Sequence, residues 1–187
     1  MKNLLIVCLC LAASCSALRG FTDAECGVIA SQQGHIMRLW TVADPGDSLF
    51  LRRKAVPLGR EELQSAHFRM LKEGMLATVC DTTDRGVGIA APQVGVSRRL
   101  IAVQRFDKPG EPFCFYVNPE IVWYSQTRLP GSEGCLSIPG VSGSVLRSER
   151  IVVRYLDEES LRMADAEGEV FEFNVFSATL GYSRLHR

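Results

Sequence analysis

The sequence predicts an α+β domain with antiparallel sheets, and three observations predict it. Residues Glu61–Cys80 repeat apolar side chains at helical spacing. Several short runs rich in β-branched and aromatic residues follow, separated by turn signals. One long helix followed by clustered strands, without alternation of the two, argues for antiparallel pairing over a parallel βαβ layout.

The helix is carried by Phe68, Leu71, Met75 and Val79, with Glu61 and Glu62 well placed for its first turn. The strands are expected at Arg99–Val103, Phe113–Val117, Glu120–Tyr124 and Ile151–Tyr155. Lys108-Pro109-Gly110 and Pro130-Gly131-Ser132 are expected as turns between them. The basic run Leu51-Arg52-Arg53-Lys54 is expected as a solvated strand edge. A second helix should close the domain, and no convincing one can be read near the C-terminus.

The chain has 187 residues, enough for one domain with one core. Its formal net charge is zero, which argues against a nucleic-acid partner, since phosphate binding requires clustered cationic surplus. The first residues are of another kind. Lys2 precedes an apolar stretch from Leu4 to Ala13, then Ala12, Ala13 and Ser14 supply small residues before Cys15. This is the layout of a secretory signal, with an apolar run too short to span a bilayer. Its Leu11-Ala12-Ala13-Ser14-Cys15 ending resembles a bacterial lipoprotein box, with Cys15 the lipidated residue. The expectation is an exported protein that touches a membrane only through that anchor. Translation from Met37 would instead leave it cytoplasmic. The expected divisions are a signal at 1–15, a tether or short helical lead-in at 16–36, a domain at 37–170 and a divergent tail at 171–187. Of the seven cysteines, Cys26, Cys80, Cys114 and Cys135 lie beyond the signal, at spacings that match no zinc framework.

Two motifs carry chemistry. The first is Gly86-Val87-Gly88-Ile89-Ala90-Ala91-Pro92-Gln93. Its glycines permit close approach of a backbone to a ligand, and Gln93 adds an amide donor. It is no dinucleotide fingerprint, since the third glycine is lacking. The second is Glu133-Gly134-Cys135-Leu136-Ser137, in which Cys135 is a buried small hydrophobe, a metal ligand or a nucleophile.

Taken together and in this order, the two motifs resemble those of the peptide deformylase family. Leu51–Pro57, Asn118-Pro119 and Ile138-Pro139-Gly140 extend the resemblance, which runs from about Met37 to about Asp157. The resemblance implies antiparallel sheets around a C-terminal metal helix. It implies a monomeric hydrolase that removes the formyl group from N-formylmethionyl peptides with a divalent metal, usually Fe2+ and alternatively Zn2+ or Ni2+. Cys135 would be one metal ligand, and Gln93 with the backbone N–H of Leu136 would stabilise the oxyanion. Gly86, Val87 and Gly88 would line the substrate groove, with Glu133 beside them.

The family's third motif is a helical H-E-x-x-H, whose two histidines share one helix face and complete the metal site. The sequence contains none: its histidines are His35, His67 and His186. The family register would put that helix at about Val175–Arg187, where no acidic residue occurs. Resemblance fades between Glu159 and Val170. The expectation is a deformylase whose metal helix has been replaced, through a frameshift, a premature stop or a sequencing error, and which turns over negligibly. The alternatives are a non-catalytic formyl-peptide-binding relative and, further off, a metalloenzyme that recruits His186 or a partner chain.

Overall fold

A computed structural model describes residues 20–31, 36–81 and 86–169. The signal layout with Cys15, the histidines His35 and His186, and the 171–187 tail with its expected metal-helix position lie outside the described residues.

Helices come first. Helix α1 (Asp23–Ala30) opens on a capping box, in which Thr22 and Glu25 satisfy each other's backbone N–H groups. This is more than a tether: Ile29 is fully buried in the core, so the packed body begins before Met37. Helix α2 (Pro45–Leu51) starts at Asp44, whose side chain accepts from Asp47 N–H, with Pro45 at its first position. The basic run Leu51–Lys54 therefore leaves the end of a helix, with Leu51 its last residue and Arg52 its C-cap, and is not a strand edge. Cationic residues there complement the helix dipole. The helix expected at Glu61–Cys80 is two helices, α3 (Arg60–Leu63) and α4 (Ala66–Val79). Ser65 separates them, because its hydroxyl accepts from Phe68 N–H and so caps a new helix. The predicted stripe is the packing face of α4, with Leu71, Met75 and Val79 fully buried.

The main sheet holds five antiparallel strands in the order β1-β2-β3-β6-β7. These are β1 (Gly88–Ala90), β2 (Leu100–Gln104), β3 (Phe113–Tyr124), β6 (Arg150–Leu156) and β7 (Met163–Glu169). The two runs read as separate strands, Phe113–Val117 and Glu120–Tyr124, form the single strand β3, with a register shift between Val117 and Glu120. Asn118 absorbs the irregularity at φ +51°, and its amide exchanges hydrogen bonds of 2.7 and 2.8 Å with the backbone of Leu58. Side chains alternate across the sheet. Ile89, Leu100, Ala102 and Val117 join α4 in one cluster, while Ala90, Ile101, Val103, Tyr116, Ile151 and Val153 form a second on the opposite face.

The remaining strands, β4 (Arg128–Cys135) and β5 (Ile138–Ser148), make a separate two-stranded hairpin. Pro130-Gly131-Ser132, expected as a turn, lies inside β4. A proline is tolerated there because a two-stranded ribbon leaves each strand one outer edge without ladder bonds. The actual turn is Leu136-Ser137, within the second motif, where Cys135 pairs with Ile138.

One buried ion cluster ties α1 to the body. Arg98 donates to Glu25 at 2.8 Å and to Glu62 at 3.0 Å, and a further N–H reaches the carbonyl of Gly20. Burial alone would raise the Glu25 carboxyl. The hydrogen bonds and charge of Arg98, with the Thr22 N–H, outweigh it and hold the group below its ordinary 4.5.

Candidate functional site

The two motifs, 42 residues apart at Gln93 and Cys135, are brought side by side by packing. The first motif divides into a short strand, β1, and a 3₁₀ turn at Ala91–Val94. Pro92 suits that turn because its missing N–H would be unpaired there anyway. Gln93 is 3% exposed. Its Oε1 accepts from Ala90 N–H at 2.9 Å, which fixes the amide orientation. Nε2 is thereby aimed at the second motif, donating to Ser137 Oγ at 3.2 Å and lying 3.9 Å from Cys135 Sγ.

The hairpin turn is held by its own side chains as well. Leu136 packs into the α4 cluster, with its side chain against Gly86. A Cβ on Gly86 would sit 3.0 Å from Leu136 Cδ1 and 3.2 Å from Val79 Cγ2, so the glycine provides the close approach that lets the two motifs meet. Gly88 begins β1, which is an edge strand of the main sheet. Val87, just before it, is exposed, while its carbonyl accepts from Gln104 N–H at 2.8 Å. An edge strand can accept another extended chain by backbone hydrogen bonding. The carboxylate of Glu133 takes both Nε and a terminal N–H of Arg147, at 2.6 and 2.8 Å. That pairing holds the Arg147 guanidinium firmly in its charged form.

The structure therefore gathers Gly86, Gln93, Cys135 and Leu136 in one place, with Gly88 and Glu133 on the flanking strands and Val87 just before β1. It does not bring a histidine to them among the described residues. His67 lies in the first turn of α4 and packs against the ring of Phe21, centroids 6.4 Å apart. Cys26, Cys80 and Cys114 are free thiols, as is Cys135. Among the described residues no three His, Cys, Asp or Glu side chains converge as a metal site would need. The Cys135 thiol has the Gln93 amide as its polar contact, and that amide is shared with the Ser137 hydroxyl.

Sequence reasoning missed two participants. Ser137 was within the second motif, and its hydroxyl is the one that receives the Gln93 amide. Arg147 had no local signal, because its meeting with Glu133 depends on how the hairpin folds back.

Comparison with known proteins gives one answer. The family described as Polypeptide deformylase matches residues 36–172. A peptide deformylase of Thermoanaerobacter pseudethanolicus is 43% identical over 124 residues, which are 66% of this chain and 70% of that protein. One from Caldanaerobacter subterraneus subsp. tengcongensis is 45% identical over 109 residues, 58% of this chain and 62% of that one. Among solved structures, the Met-Ala-Ser-bound class I type b peptide deformylase from Acinetobacter baumannii aligns with a TM-score of 0.65 and 31% identity. That alignment covers 78% of this chain and 94% of the other. The Thermotoga maritima peptide deformylase aligns with a TM-score of 0.65 and 28% identity, over 79% and 93% of the two chains.

Proposed function

This chain belongs to the peptide deformylase family, hydrolases that remove formyl groups from peptides, and from that premise we propose that its two-motif face binds the N-formylmethionyl end of a peptide. The observation that carries the reading is the buried Gln93 amide aimed at Cys135 and Ser137, beside the edge strand β1. In this reading the peptide lies extended along Gly86, Val87 and Gly88, pairing with the strand edge. The formyl oxygen is received by the Gln93 amide and the backbone N–H of Leu136, which stabilise negative charge as it develops there. Glu133, held by Arg147, borders the peptide.

The family uses a divalent metal, for which Cys135 is the candidate ligand. The described residues do not fit it: one cysteine is present where such sites take three protein ligands and a water. The sequence contains no H-E-x-x-H, so the general base carried by that motif has no counterpart in it. We therefore assign to this 187-residue chain recognition of formylated peptides with negligible hydrolysis. What supports the assignment is the intact motif pair set against the missing third motif.

The test is titration of the purified chain with N-formyl-Met-Ala-Ser and with Met-Ala-Ser, followed by a formate-release assay with added Fe2+, Ni2+ or Zn2+. Saturable binding of the formylated peptide, weakened by Gln93→Ala, with no formate released, is the expected result. Metal-dependent formate release would overturn the assignment of negligible hydrolysis. Reading the gene in all three frames from the codon of Tyr155 tests the origin of the divergent tail. An H-E-x-x-H in another frame makes it a frameshift, and its absence from every frame favours the non-catalytic relative. Export with lipidation at Cys15 also belongs to the proposal, supported by the layout of residues 1–15. No described helix is long and apolar enough to cross a membrane. Mass spectrometry of the mature N-terminus tests it: an acylated Cys15 supports export, and an N-terminus at Met37 sinks it.

A further inference from the structure

The segment Leu39–Val42, just ahead of α2, touches both motif loops through its backbone. Trp40 N–H donates to the carbonyl of Gln93 at 2.8 Å, and Val42 N–H donates to the carbonyl of Ser137 at 2.9 Å. Gln93 belongs to the first motif and Ser137 to the second, so this short strap bridges them. The strap is itself fixed from the other side. The Trp40 indole packs at a tilt against Phe50 of α2, centroids 4.4 Å apart, and carries the Arg38 guanidinium 4.8 Å above it. Arg38 forms a two-pronged pair with Asp47 of α2, at 2.7 and 2.8 Å. Asp47 in turn accepts from Thr41 N–H at 3.1 Å. The indole also occupies the space beside Gly95, where a Cβ would lie 2.5 Å from Nε1. Gly95, at φ +81°, ends the turn that carries Gln93. The indole is thus a wedge between α2 and that turn.

We propose that Trp40 and Val42 are positioning residues, which set the distance between the Gln93 amide and the Cys135 thiol by tying both motif loops to α2. The proposal rests on the reading of the two motifs as one formyl-peptide site, and it assigns the site's geometry to residues outside either motif. The reason is mechanical. The hairpin that carries Cys135 shares no ladder with the main sheet. The direct polar links from Gln93 to its turn are one bond to Ser137 and a long contact to Cys135. A two-stranded ribbon is marginal alone, so its turn must be located by contacts from outside. The strap supplies one of them, and wedging by an aromatic ring holds it with little rotamer freedom to lose.

The experiment uses the full chain and measures the alkylation rate of each cysteine by iodoacetamide, read by peptide mass spectrometry. Cys135 reports the site, Cys114 the main sheet, and exposed Cys80 normalises the reagent. Trp40→Ala is expected to speed alkylation at Cys135 by about fivefold, the scale of loosening one hydrogen bond, with Cys114 unchanged. Trp40→Phe, which keeps a ring against Phe50, should restore most of the wild-type rate. Val42→Pro, which deletes the N–H donor at the other end of the strap, should act like Trp40→Ala without removing the wedge. Unchanged Cys135 rates in both Trp40→Ala and Val42→Pro would overturn the proposal. So would equal acceleration at Cys114, because that marks general loosening. Titration with N-formyl-Met-Ala-Ser separates the two levels of the argument. If wild-type protein does not bind it, the functional reading fails while the thiol rates still decide the role of the strap.

Discussion

The five-stranded sheet and the β4–β5 hairpin are built on opposite terms. Strand β2 is buried at every position and serves both apolar clusters at once. The hairpin exposes Leu129, Val141 and Leu146, and it contributes Leu136 of its turn as its member of those clusters. Yet the hairpin carries Glu133, Cys135 and Leu136, whereas the sheet side carries Gln93. The candidate site therefore spans a rigid wall and a ribbon that is anchored at its tip. The contrast teaches that stability and site geometry are secured by different contacts here. The core holds the wall, and a few contacts at the hairpin turn hold the site together.

That contrast can be broken or sharpened by substitution. The largest effect is expected at Arg98, whose removal leaves Glu25 and Glu62 buried without their partner. Arg98→Ala should cost about 3–5 kcal/mol in urea denaturation, the scale for breaking a buried ion cluster from one side. Leu136→Ala should cost less and act locally. It removes a partly buried anchor worth about 1–2 kcal/mol, so hydrogen exchange should speed about tenfold through residues 128–148 while α4 keeps its protection. Faster exchange in α4 to the same extent would show that hairpin and sheet open as one unit and that the contrast is false.

Acid should act on the wall. The Glu25 carboxyl lies below its ordinary 4.5 in the folded chain, so its contribution is complete above that value and is lost as pH falls through the lowered one. Unfolding midpoints measured between pH 7 and pH 3 should decline below about 4.5, and Glu25→Gln should remove part of that decline. The smallest effect is expected at Leu146, 59% exposed on the hairpin shaft. Leu146→Ala should leave stability within about 0.5 kcal/mol, and a larger loss would mean that the shaft of the hairpin is packed and not exposed in solution.

Much of the wall was legible in the sequence, because its signals are local and repeated. Phe68, Leu71, Met75 and Val79 mark the face of α4 by spacing alone, and β2 and β6 show as β-branched runs. The errors fell where a single polar group decides the outcome. Ser65 starts a new helix through one hydrogen bond, and Asn118 joins two strand runs across an irregularity by exchanging bonds with distant Leu58. Pro130 reads as a turn signal but sits in a strand, because a two-stranded ribbon does not demand its missing N–H. In the candidate site, motif residues were legible as types and their supports were not. Val42 acts through its backbone N–H, and Trp40 through its N–H and an indole wedged against Phe50 and Gly95, and neither kind of contact is marked by a local pattern.

The sequence by itself determined the α+β class, the family of the two motifs and the absence of H-E-x-x-H, since each is a matter of residue identity and order. Tertiary structure alone decided that Gln93 meets Cys135 and Ser137, that Glu133 is held by Arg147, and that Arg98 joins α1 to the core. Such meetings join residues far apart in the chain, and burying these polar groups costs free energy unless their partners converge on them. No local window of sequence contains both partners, so folding is what selects the pairs.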